Sequence, residues 1–252
     1  MIAVSLSPVT AVIPARYAST RLPGKVLLDR TGKPLIQHVF ENVRRARLVD
    51  RVIVATDDQR IVEAVQRFGG EAVMTRSDHP NGTSRIAEVT AEIDSALIVN
   101  VQADEPEIEP ELIDLAIQTL KDSSSCVMST LGSPFASDED PSDPNIVKVV
   151  VGPDGRALYF SRALIPYTRS ESKVEPLKHI GLYVYRREFL LKYVTLPATP
   201  LEQAESLEQL RVLEHGYDIA VAVSEVSYHG IDTPGQYEEF VQRYRESQQR
   251  AP

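Results

Sequence analysis

Apolar residues in the first half of the chain alternate between short β-prone runs and longer stretches at helical spacing. Strands are predicted at 9–13, 52–55, 72–74 and 97–101, with helices at 35–43, 61–68, 86–93 and 110–120. Parallel strands need long crossover connections, so four strand–helix units in succession predict an α/β, mostly parallel sheet with helices on both faces, as in Rossmann-like folds. Ligands of such sheets bind beyond the carboxyl ends of the strands, which directs the search for chemistry to the loops there.

The second half is less regular and predicts a smaller sheet subdomain. A polar loop at 135–145 precedes strands at 146–151, 157–160, 180–185 and 219–223, and a second polar loop spans 168–176. Helices are predicted at 201–214 and 234–245, with a frayed tail at 248–252. We therefore predict one domain over 1–252, made of a βα half (1–132) and a second half (133–252).

Composition and charge exclude several classes of protein. With 42% hydrophobic and 25% charged residues among 252, the chain is neither disordered nor a fibrous repeat. A net charge of −9 argues against non-specific binding to nucleic acid or to an anionic membrane. No apolar run is as long as a membrane span, and the first residues lack the basic segment of a secretion signal. We therefore expect a cytoplasmic protein. The single cysteine, Cys126, and the absence of metal-ligand motifs argue against disulfides and structural zinc.

The loop after the first strand is cationic in an otherwise acidic protein. Arg16, Arg21 and Lys25 all precede the first acidic residue, Asp29. The loop matches neither GxGxxG nor the Walker A pattern. Its three cations and its hydroxyl groups could nevertheless bind a polyphosphate. A flexible, solvated basic loop is the alternative interpretation.

Two aspartates could serve a divalent cation. Asp104 follows the fourth strand directly, and Asp232 precedes the last helix. Mg²⁺ binds through one or two carboxylates together with substrate phosphates, so a shared site is possible if the two side chains converge. Each residue has a simpler interpretation, Asp104 as an acid of a turn and Asp232 as a helix cap.

Three further groups of polar residues could contact a ligand. The loop at 76–85 could bind a base edge, although Asn81 or Thr83 could simply cap the following helix. Along the predicted strand at 180–185 and its approach, a period of two places His179, Tyr183 and Tyr185 on one face, which could equally be an exposed sheet face. On the predicted helix at 201–214, the residues at 205, 208 and 209 share one face, which is more often merely solvated.

Together these segments resemble the 3-deoxy-manno-octulosonate (Kdo) cytidylyltransferases over nearly the whole chain. The most specific match is the sequence IPARYASTRLPGK at 13–25. Supporting matches, in the same order along the chain, are IVATD at 53–57, VNVQ at 99–102, DEP at 104–106, YFSR at 159–162, IP at 165–166, HIG at 179–181, LEQLR at 207–211 and DTP at 232–234.

The resemblance implies transfer of CMP from CTP to the anomeric hydroxyl of Kdo, giving CMP-Kdo and pyrophosphate for lipopolysaccharide biosynthesis. It implies Mg²⁺ as cofactor, held by Asp104 and Asp232, and a homodimer formed through the second-half sheet. Lys25, Arg21 and the two aspartates would be catalytic. The nucleotide-binding residues it implies are Ala15, Arg16, Ser19, Arg21, Lys25, Arg76, Gly82, Thr83, Arg85 and Gln102. The sugar-binding residues it implies are Arg162, His179, Tyr183, Tyr185, Glu205, Glu208 and Gln209.

In this mechanism the metal and the cations stabilise the departing pyrophosphate, and no residue stands out as a general base. The chain departs from the family pattern at Ala103, where glycine is usual, at Ser84, where an acid is usual, and at Tyr167, where tryptophan is common. The methyl group of Ala103 would strain a backbone that requires a positive φ. Two other functions remain open, a glycosyltransferase that uses a finished nucleotide-sugar and a nucleotide-binding protein without catalytic activity.

Overall fold

The structure is a computed structural model that describes residues 8–19, 22–169, 174–228 and 230–250. It divides the chain into two units. The first comprises Met1–Ser95, Asn100–Glu111 and Tyr228–Pro252, and the second comprises Ala96–Val99 and Leu112–Ser227. The predicted halves, 1–132 and 133–252, differ from these units because the C-terminal segment returns to the first unit and residues 112–132 belong to the second.

The first unit contains three of the four predicted parallel strands, joined by helical crossovers. β2 pairs with both β1 and β3 in parallel, with Ile13 opposite Val54 and Ala55 opposite Val73. Its elements are β1 (Val9–Ala15), a 3₁₀ turn (Lys25–Leu27), α1 (Leu35–Arg45), β2 (Arg51–Thr56), α2 (Gln59–Arg67), β3 (Glu71–Met74) and α3 (Gly82–Ala91). The apolar stripe of α1 is buried, as its helical spacing requires.

β1 extends beyond its predicted end. The strand predicted at 9–13 runs to Ala15 instead, because Pro14 lies inside β1 and pairs opposite Ala55. A proline near the end of a strand removes one ladder hydrogen bond without ending the pairing. The extension carries the chain to Ala15, directly before the cationic loop.

The chain comes back to the first unit through its C-terminal helix. A buried cluster joins Leu35 to Ile231, Tyr237, Phe240 and Val241. This helix, numbered α8 in chain order, runs over Pro234–Arg250, so residues 248–250 are helical rather than frayed. Burial of these apolar side chains fixes the segment that precedes the helix, which is where Asp232 lies.

In the second unit, the strands lie in the order β4, β8, β5, β9. Strand β6 pairs with β8 and with β7 outside this order. β5 pairs with β9 in parallel, whereas its pairing with β8 and the pairings of β6 are antiparallel. Its strands are β4 (Leu97–Asn100), β5 (Cys126–Pro134), β6 (Lys148–Val151), β7 (Ala157–Ser161), β8 (Leu177–Arg186) and β9 (Asp218–Val223). Its helices are α4 (Pro110–Asp122), α5 (Arg187–Tyr193), α6 (Pro200–Glu205) and α7 (Glu208–Glu214).

The single helix predicted at 201–214 was wrong. Ser206 adopts a left-handed conformation with φ 52°, which ends α6 before α7 begins. A capping box at Thr199 and Glu202 starts α6, and Arg211 of α7 donates 2.7 Å from Nε to Glu202. Because two helices replace one, residues 205, 208 and 209 do not lie on one face of a single helix as predicted.

These elements give a mixed α/β fold with a mostly parallel sheet flanked by helices, which confirms the predicted class. Across the part of the chain that the structure describes, no helix is long and apolar enough to cross a membrane.

Candidate active site

A glycine turn closes the cationic loop after β1. Gly24 has φ 68°, and its N–H donates to the carbonyl of Tyr17 at 3.0 Å. A Cβ atom at Gly24 would lie 3.1 Å from the Tyr17 ring, so both the conformation and the close approach require glycine. The turn places Lys25 at the first position of the 3₁₀ turn, with its side chain directed to Asp104.

The Lys25 ammonium is the point on which the two candidate metal ligands converge. Nζ lies 2.6 Å from Oδ2 of Asp104, 3.0 Å from Oδ1 of Asp232 and 2.9 Å from the carbonyl oxygen of Ile231. Asp104 and Asp232, far apart in the sequence, are therefore neighbours in space. Their role as metal ligands stays a prediction.

Main-chain and core contacts hold Asp232 in this position. The N–H of Ile231 donates to the carbonyl of Asp104 at 2.8 Å, and the Ile231 side chain is buried in the α1–α8 cluster. Gln236 accepts from the N–H groups of Asp232 and Thr233, and Thr233 Oγ1 accepts from the N–H of Gln236. Thr233 and Gln236 thus close the start of α8, so the carboxylate of Asp232 is not needed as its cap.

Electrostatics at this point are dominated by the two carboxylates. Burial alone would lower the pKa of Lys25, but attraction to Asp104 and Asp232 outweighs it and raises the pKa above its ordinary value of 10.5. Lys25 is therefore a firmly protonated cation, with 12% of its side chain exposed.

A cavity of about 310 Å³ opens beside the ammonium. It contains six of the predicted residues, namely Arg16, Ser19, Lys25, Gly82, Gln102 and Asp104, along with Pro14, Ala18, Val26, Asn81 and Ala103. Ala15 is buried at the end of β1, and Arg21 lies outside the described residues. The cavity thus combines two cations, a hydroxyl and an amide with the metal-ligand candidate Asp104.

The loop before α3 forms another wall of the cavity. Asn81 caps α3 by accepting from the N–H of Ser84 at 2.9 Å, the simpler role foreseen for it. A Cβ atom at Gly82 would lie 3.2 Å from Pro14, so glycine lets the helix start approach β1 closely. Arg16 donates to the carbonyl of His79 at 2.5 Å, which ties the cationic loop to this wall.

Three of the predicted nucleotide contacts are not on the cavity. Arg85 has none of its side chain exposed and donates to Asp57 at 2.9 Å, so it supports the loop from within. Thr83 is also buried, while 70% of the Arg76 side chain is exposed and faces Asp78. Their roles as nucleotide contacts stay predictions.

The two departures beside the site have structural explanations. Among the described residues that are not glycine, Ser206 alone has a positive φ, so Ala103 occupies ordinary backbone and its methyl group lines the cavity. Ser84 takes part in the cap and contacts Nδ1 of His79 at 3.2 Å. Buried His79 also contacts Glu88, which lies one helical turn further along α3.

Glu105, next to Asp104, is a partly accessible acid with one buried carboxyl oxygen, and the sequence did not single it out. Its Oε2 is buried and has no hydrogen-bond partner among the described residues, and the same is true of the Tyr228 hydroxyl. Desolvation, together with the nearby charge of Asp104, raises the pKa of Glu105 to about 8. Glu105 is therefore a largely neutral acid at pH 7, which limits the negative charge beside the two aspartates.

In the second unit, an aromatic row on β8 carries the predicted sugar-binding face. The centroid of the His179 ring lies 5.0 Å from that of Phe160 and 5.4 Å from that of Tyr183. The ring centroids of Tyr183 and Tyr185 are 6.0 Å apart. The structure therefore brings His179, Tyr183 and Tyr185 together on one face, as the period of two predicted. Desolvation lowers the pKa of His179 to about 3, so its ring is neutral.

Thr130 of β5, not predicted as a site residue, fixes the His179 ring. Its hydroxyl lies 2.9 Å from Nε2 of His179, and it can donate to the carbonyls of Ile180 at 3.0 Å and Leu182 at 2.9 Å. A hydroxyl has one proton to donate, so with that proton on a carbonyl Nε2–H becomes the donor to Thr130. Nδ1 then remains as a hydrogen-bond acceptor. No signal in the sequence indicated this residue, because its strand was not predicted.

The remaining predicted sugar-binding residues lie on α6, on α7 and after β7. Glu205 accepts from Ser161 at 2.6 Å and from the N–H of Arg162 at 2.9 Å, and Nε of Arg162 donates to the Glu205 carbonyl at 2.8 Å. Gln209 is buried with its amide oxygen 3.5 Å from the Tyr183 hydroxyl, and Glu208 begins α7. Gln209 therefore adjoins the aromatic row, whereas Glu205 already has partners that orient the Arg162 segment.

Comparison with known proteins places this arrangement in a family. The cytidylyltransferase family profile matches residues 10–219. The chain is 51% identical to the 3-deoxy-manno-octulosonate cytidylyltransferase of Geotalea daltonii, with 94% of this chain and 98% of the relative covered. It is 52% identical to the enzyme of the same name from Syntrophotalea carbinolica, over 90% and 94% of the two chains.

A solved structure has the same fold over almost the whole length. CMP:2-keto-3-deoxy-manno-octonic acid synthetase complexed with CTP matches with a TM-score of 0.92 and 44% identity, covering 96% of this chain and all of the other. With this extent of similarity in both sequence and structure, the chain belongs to the 3-deoxy-manno-octulosonate cytidylyltransferase family.

Proposed function

We propose that this protein transfers CMP from CTP to the anomeric hydroxyl of Kdo and releases pyrophosphate, with Mg²⁺ as cofactor. The observation that carries the proposal is the convergence of Lys25, Asp104 and Asp232 beside the cavity. The relatives named for this reaction are about half identical over nearly the whole chain, which supports the same pair of substrates here.

The donor atoms at Lys25 suit a magnesium ion. Two carboxylates and one carbonyl, all hard oxygen ligands, already surround a positive charge there. No group of three or more His, Cys, Asp or Glu side chains suited to a metal occurs within the described part of the chain. Mg²⁺ sites of phosphate-handling enzymes use one or two carboxylates and take further ligands from the phosphates, so Asp104 and Asp232 would hold the ion.

The residues of the first unit would bind and orient the triphosphate. Arg16 and Lys25 would donate charged N–H groups to phosphate oxygens, and Ser19 would add a hydroxyl. When bound, Mg²⁺ supplies positive charge that stabilises the departing pyrophosphate. Positioning and electrostatic stabilisation account for most of the catalysis of such phosphoryl transfers.

In the transfer itself, the anomeric oxygen of Kdo forms a bond to the α-phosphorus as the bond from that phosphorus to the pyrophosphate oxygen breaks. The hydroxyl proton is lost to solvent, and the leaving group keeps the bonding electron pair. The neutral His179 ring, held by Thr130, would accept a hydrogen bond from a sugar hydroxyl through Nδ1. Kdo would therefore bind at the aromatic row of the second unit.

Pyrophosphate release tests the proposed reaction. The protein mixed with CTP, Kdo and Mg²⁺ should release one pyrophosphate for each CMP-Kdo formed, and Asp104→Asn should reduce the rate by at least about a hundredfold. Asp94→Asn, at an exposed acid of the same unit, is the matched control and should retain the rate. Transfer from a finished nucleotide-sugar without pyrophosphate would instead identify a glycosyltransferase, and CTP binding without turnover would identify a simple binding protein.

Exposed apolar residues of the second unit support a homodimer. Leu158 of β7 is 61% exposed and Tyr167 is 85% exposed, with Leu164 and Val174 also exposed. Light scattering should give twice the 28.0 kDa chain mass. The double variant Leu158→Glu, Tyr167→Ser should give a single chain, while Met74→Gln in the first unit should not. The cytoplasmic location stays a prediction, to which a lone buried thiol, Cys126, is suited.

A further inference from the structure

The Lys25 ammonium has no N–H group to spare. An ammonium carries three N–H donors, and Lys25 has three oxygen partners, on Asp104, Ile231 and Asp232, at 2.6 to 3.0 Å. A phosphate oxygen could therefore be bound only if one of these contacts were given up. The arrangement suits a site without substrate, and it differs from the one that triphosphate binding needs.

The ammonium also balances the charge of the aspartates. Two neighbouring carboxylates repel each other unless a cation lies between them. Lys25 supplies one positive charge against the two negative charges of Asp104 and Asp232. A divalent cation would seek the same oxygens, because its preferred ligands are carboxylates and carbonyls. Lys25 and such a cation would then be within a few ångströms of each other, where like charges repel strongly.

Space for Lys25 to leave exists in the cavity. Its side chain lines the 310 Å³ cavity together with Arg16 and Ser19, where a phosphate would be bound. The four-carbon stem of lysine rotates freely, whereas the backbone at Gly24 is held by its bond to Tyr17. The ammonium can therefore exchange partners without a change in the loop.

We propose that Lys25 is the resident counter-ion of Asp104 and Asp232 in the substrate-free protein, and that a divalent cation displaces it towards the triphosphate. This inference rests on the proposed function, because it concerns the same site. It makes metal binding and CTP binding cooperative, since the metal frees Lys25 for the phosphates and the phosphates draw Lys25 away from the metal ligands. Without nucleotide, the metal must compete with Lys25 and should bind weakly.

Manganese binding without nucleotide tests the exchange. Mn²⁺ is titrated into the full-length, EDTA-treated protein, and free Mn²⁺ is measured by electron paramagnetic resonance. Lys25→Met keeps the length of the side chain without its charge, so it should bind Mn²⁺ at least about tenfold more tightly than the wild type, within the usual range of coupling between sites. Lys25→Arg keeps the positive charge beside the aspartates, so it should gain less Mn²⁺ affinity than Lys25→Met.

Two controls separate direct displacement from a general change of charge. Arg16→Met removes the same charge from the same cavity but leaves the aspartates paired with Lys25, so its Mn²⁺ affinity should change by less than about threefold. In an Asp104→Asn, Asp232→Asn background, Lys25→Met should bring no gain in Mn²⁺ affinity. Circular dichroism monitors folding, and Lys25→Gln replaces Lys25→Met if the latter does not fold.

The Mn²⁺ titration tests the displacement of Lys25 independently of the CMP transfer reaction. Equal Mn²⁺ affinity in Lys25→Met and the wild type, an equal gain in Arg16→Met, or a gain that survives without the aspartates would overturn it. In that case Lys25 would be a permanent structural counter-ion. If the wild type forms CMP-Kdo, the proposed function stands whichever result the Mn²⁺ titration gives, and if it does not, the titration still tests the exchange.

Discussion

The carboxyl group of Glu105, whose Oε2 is buried, should make the free energy of unfolding depend on pH. A single substitution of Glu105 should remove this dependence. Glu105 has no hydrogen-bond partner for Oε2 among the described residues, and its stem lies 4.0 Å from the position that a Cβ atom of Gly230 would take. Glu105→Gln replaces the acid with a neutral amide of the same size. The substitution should therefore remove a proton equilibrium and preserve the packing.

The magnitude follows from the difference between the folded and unfolded pKa values. Burial raises the pKa of Glu105 from 4.5 to about 8. At about 1.4 kcal/mol for each pH unit, this difference corresponds to at most about 5 kcal/mol. The residue as a whole is partly accessible while its Oε2 is buried, so we expect about 2 kcal/mol or more of this limit to be measured.

Whether the free energy of unfolding rises or falls with pH depends on which state, folded or unfolded, holds the proton. Between pH 4.5 and about 8, the folded protein keeps the proton on Glu105 while the unfolded chain has released it. The free energy of unfolding contributed by this group is therefore fully present below pH 4.5, falls as the pH rises, and is lost above about 8.

Urea unfolding of both proteins in EDTA, across this pH range, measures the effect. The two should be equally stable near pH 4.5, and Glu105→Gln should become progressively more stable than the wild type towards pH 8. All other titrating groups are shared, so the difference between the two curves isolates Glu105. Parallel curves would refute the reasoning and show that the carboxyl group ionises normally in the folded protein.

Three other predictions follow from individual contacts. His179, whose pKa burial lowers from 6.5 to about 3, should not titrate in NMR spectra between about pH 5 and 8, and the stability it contributes should be lost as the pH falls below 6.5. Gly24→Ala should lower the free energy of unfolding by about 1–3 kcal/mol, and by more than Gly32→Ala, which has a similar φ but no neighbouring atom within 4 Å. Asp57→Ala leaves its arginine partner buried and unpaired and should cost about 3 kcal/mol, whereas Glu71→Ala in an exposed pair should cost under about 1 kcal/mol, both measured by urea unfolding.

The first unit could be predicted from its sequence because its signals are local and agree with one another. Its strands are continuous apolar runs, its helices carry one apolar face, and loops separate them at the spacing of crossover connections. β5 could not be found in this way. Ser129, Thr130 and Ser133 interrupt its apolar pattern, although all three are buried and have hydrogen-bond partners in the folded chain.

The break between α6 and α7 could not be predicted from local signals either. Ser206 is not a residue type that usually adopts a left-handed conformation, so the pattern favoured a single helix. Tertiary contacts override that preference here. The ion pair between Glu202 and Arg211, joining the two helices, has no signature in a sequence interpreted by helical spacing.

The proximity of three candidate residues could be predicted in part. Lys25 follows the first predicted strand, Asp104 follows the fourth and Asp232 precedes the last predicted helix, and the structure brings the three together. The carbonyl of Ile231 could not be foreseen, because main-chain oxygens exist at every position and only the fold aims one at the ammonium. The burial of Arg85 was missed because an arginine in a loop favours a surface interpretation.

The choice of lysine at position 25 is itself explained by the proposed exchange. An ammonium is a compact charge whose three donors can be directed at three separate oxygens, as they are at Asp104, Ile231 and Asp232. A guanidinium is a planar fork that suits one carboxylate or one phosphate, and it would satisfy this set of oxygens less completely while filling more of the cavity. A residue that neutralises two aspartates before the substrates arrive and binds phosphate afterwards must be small at its charged end and mobile along its stem. Lysine meets both requirements, whereas the larger, planar charged end of arginine does not meet the first.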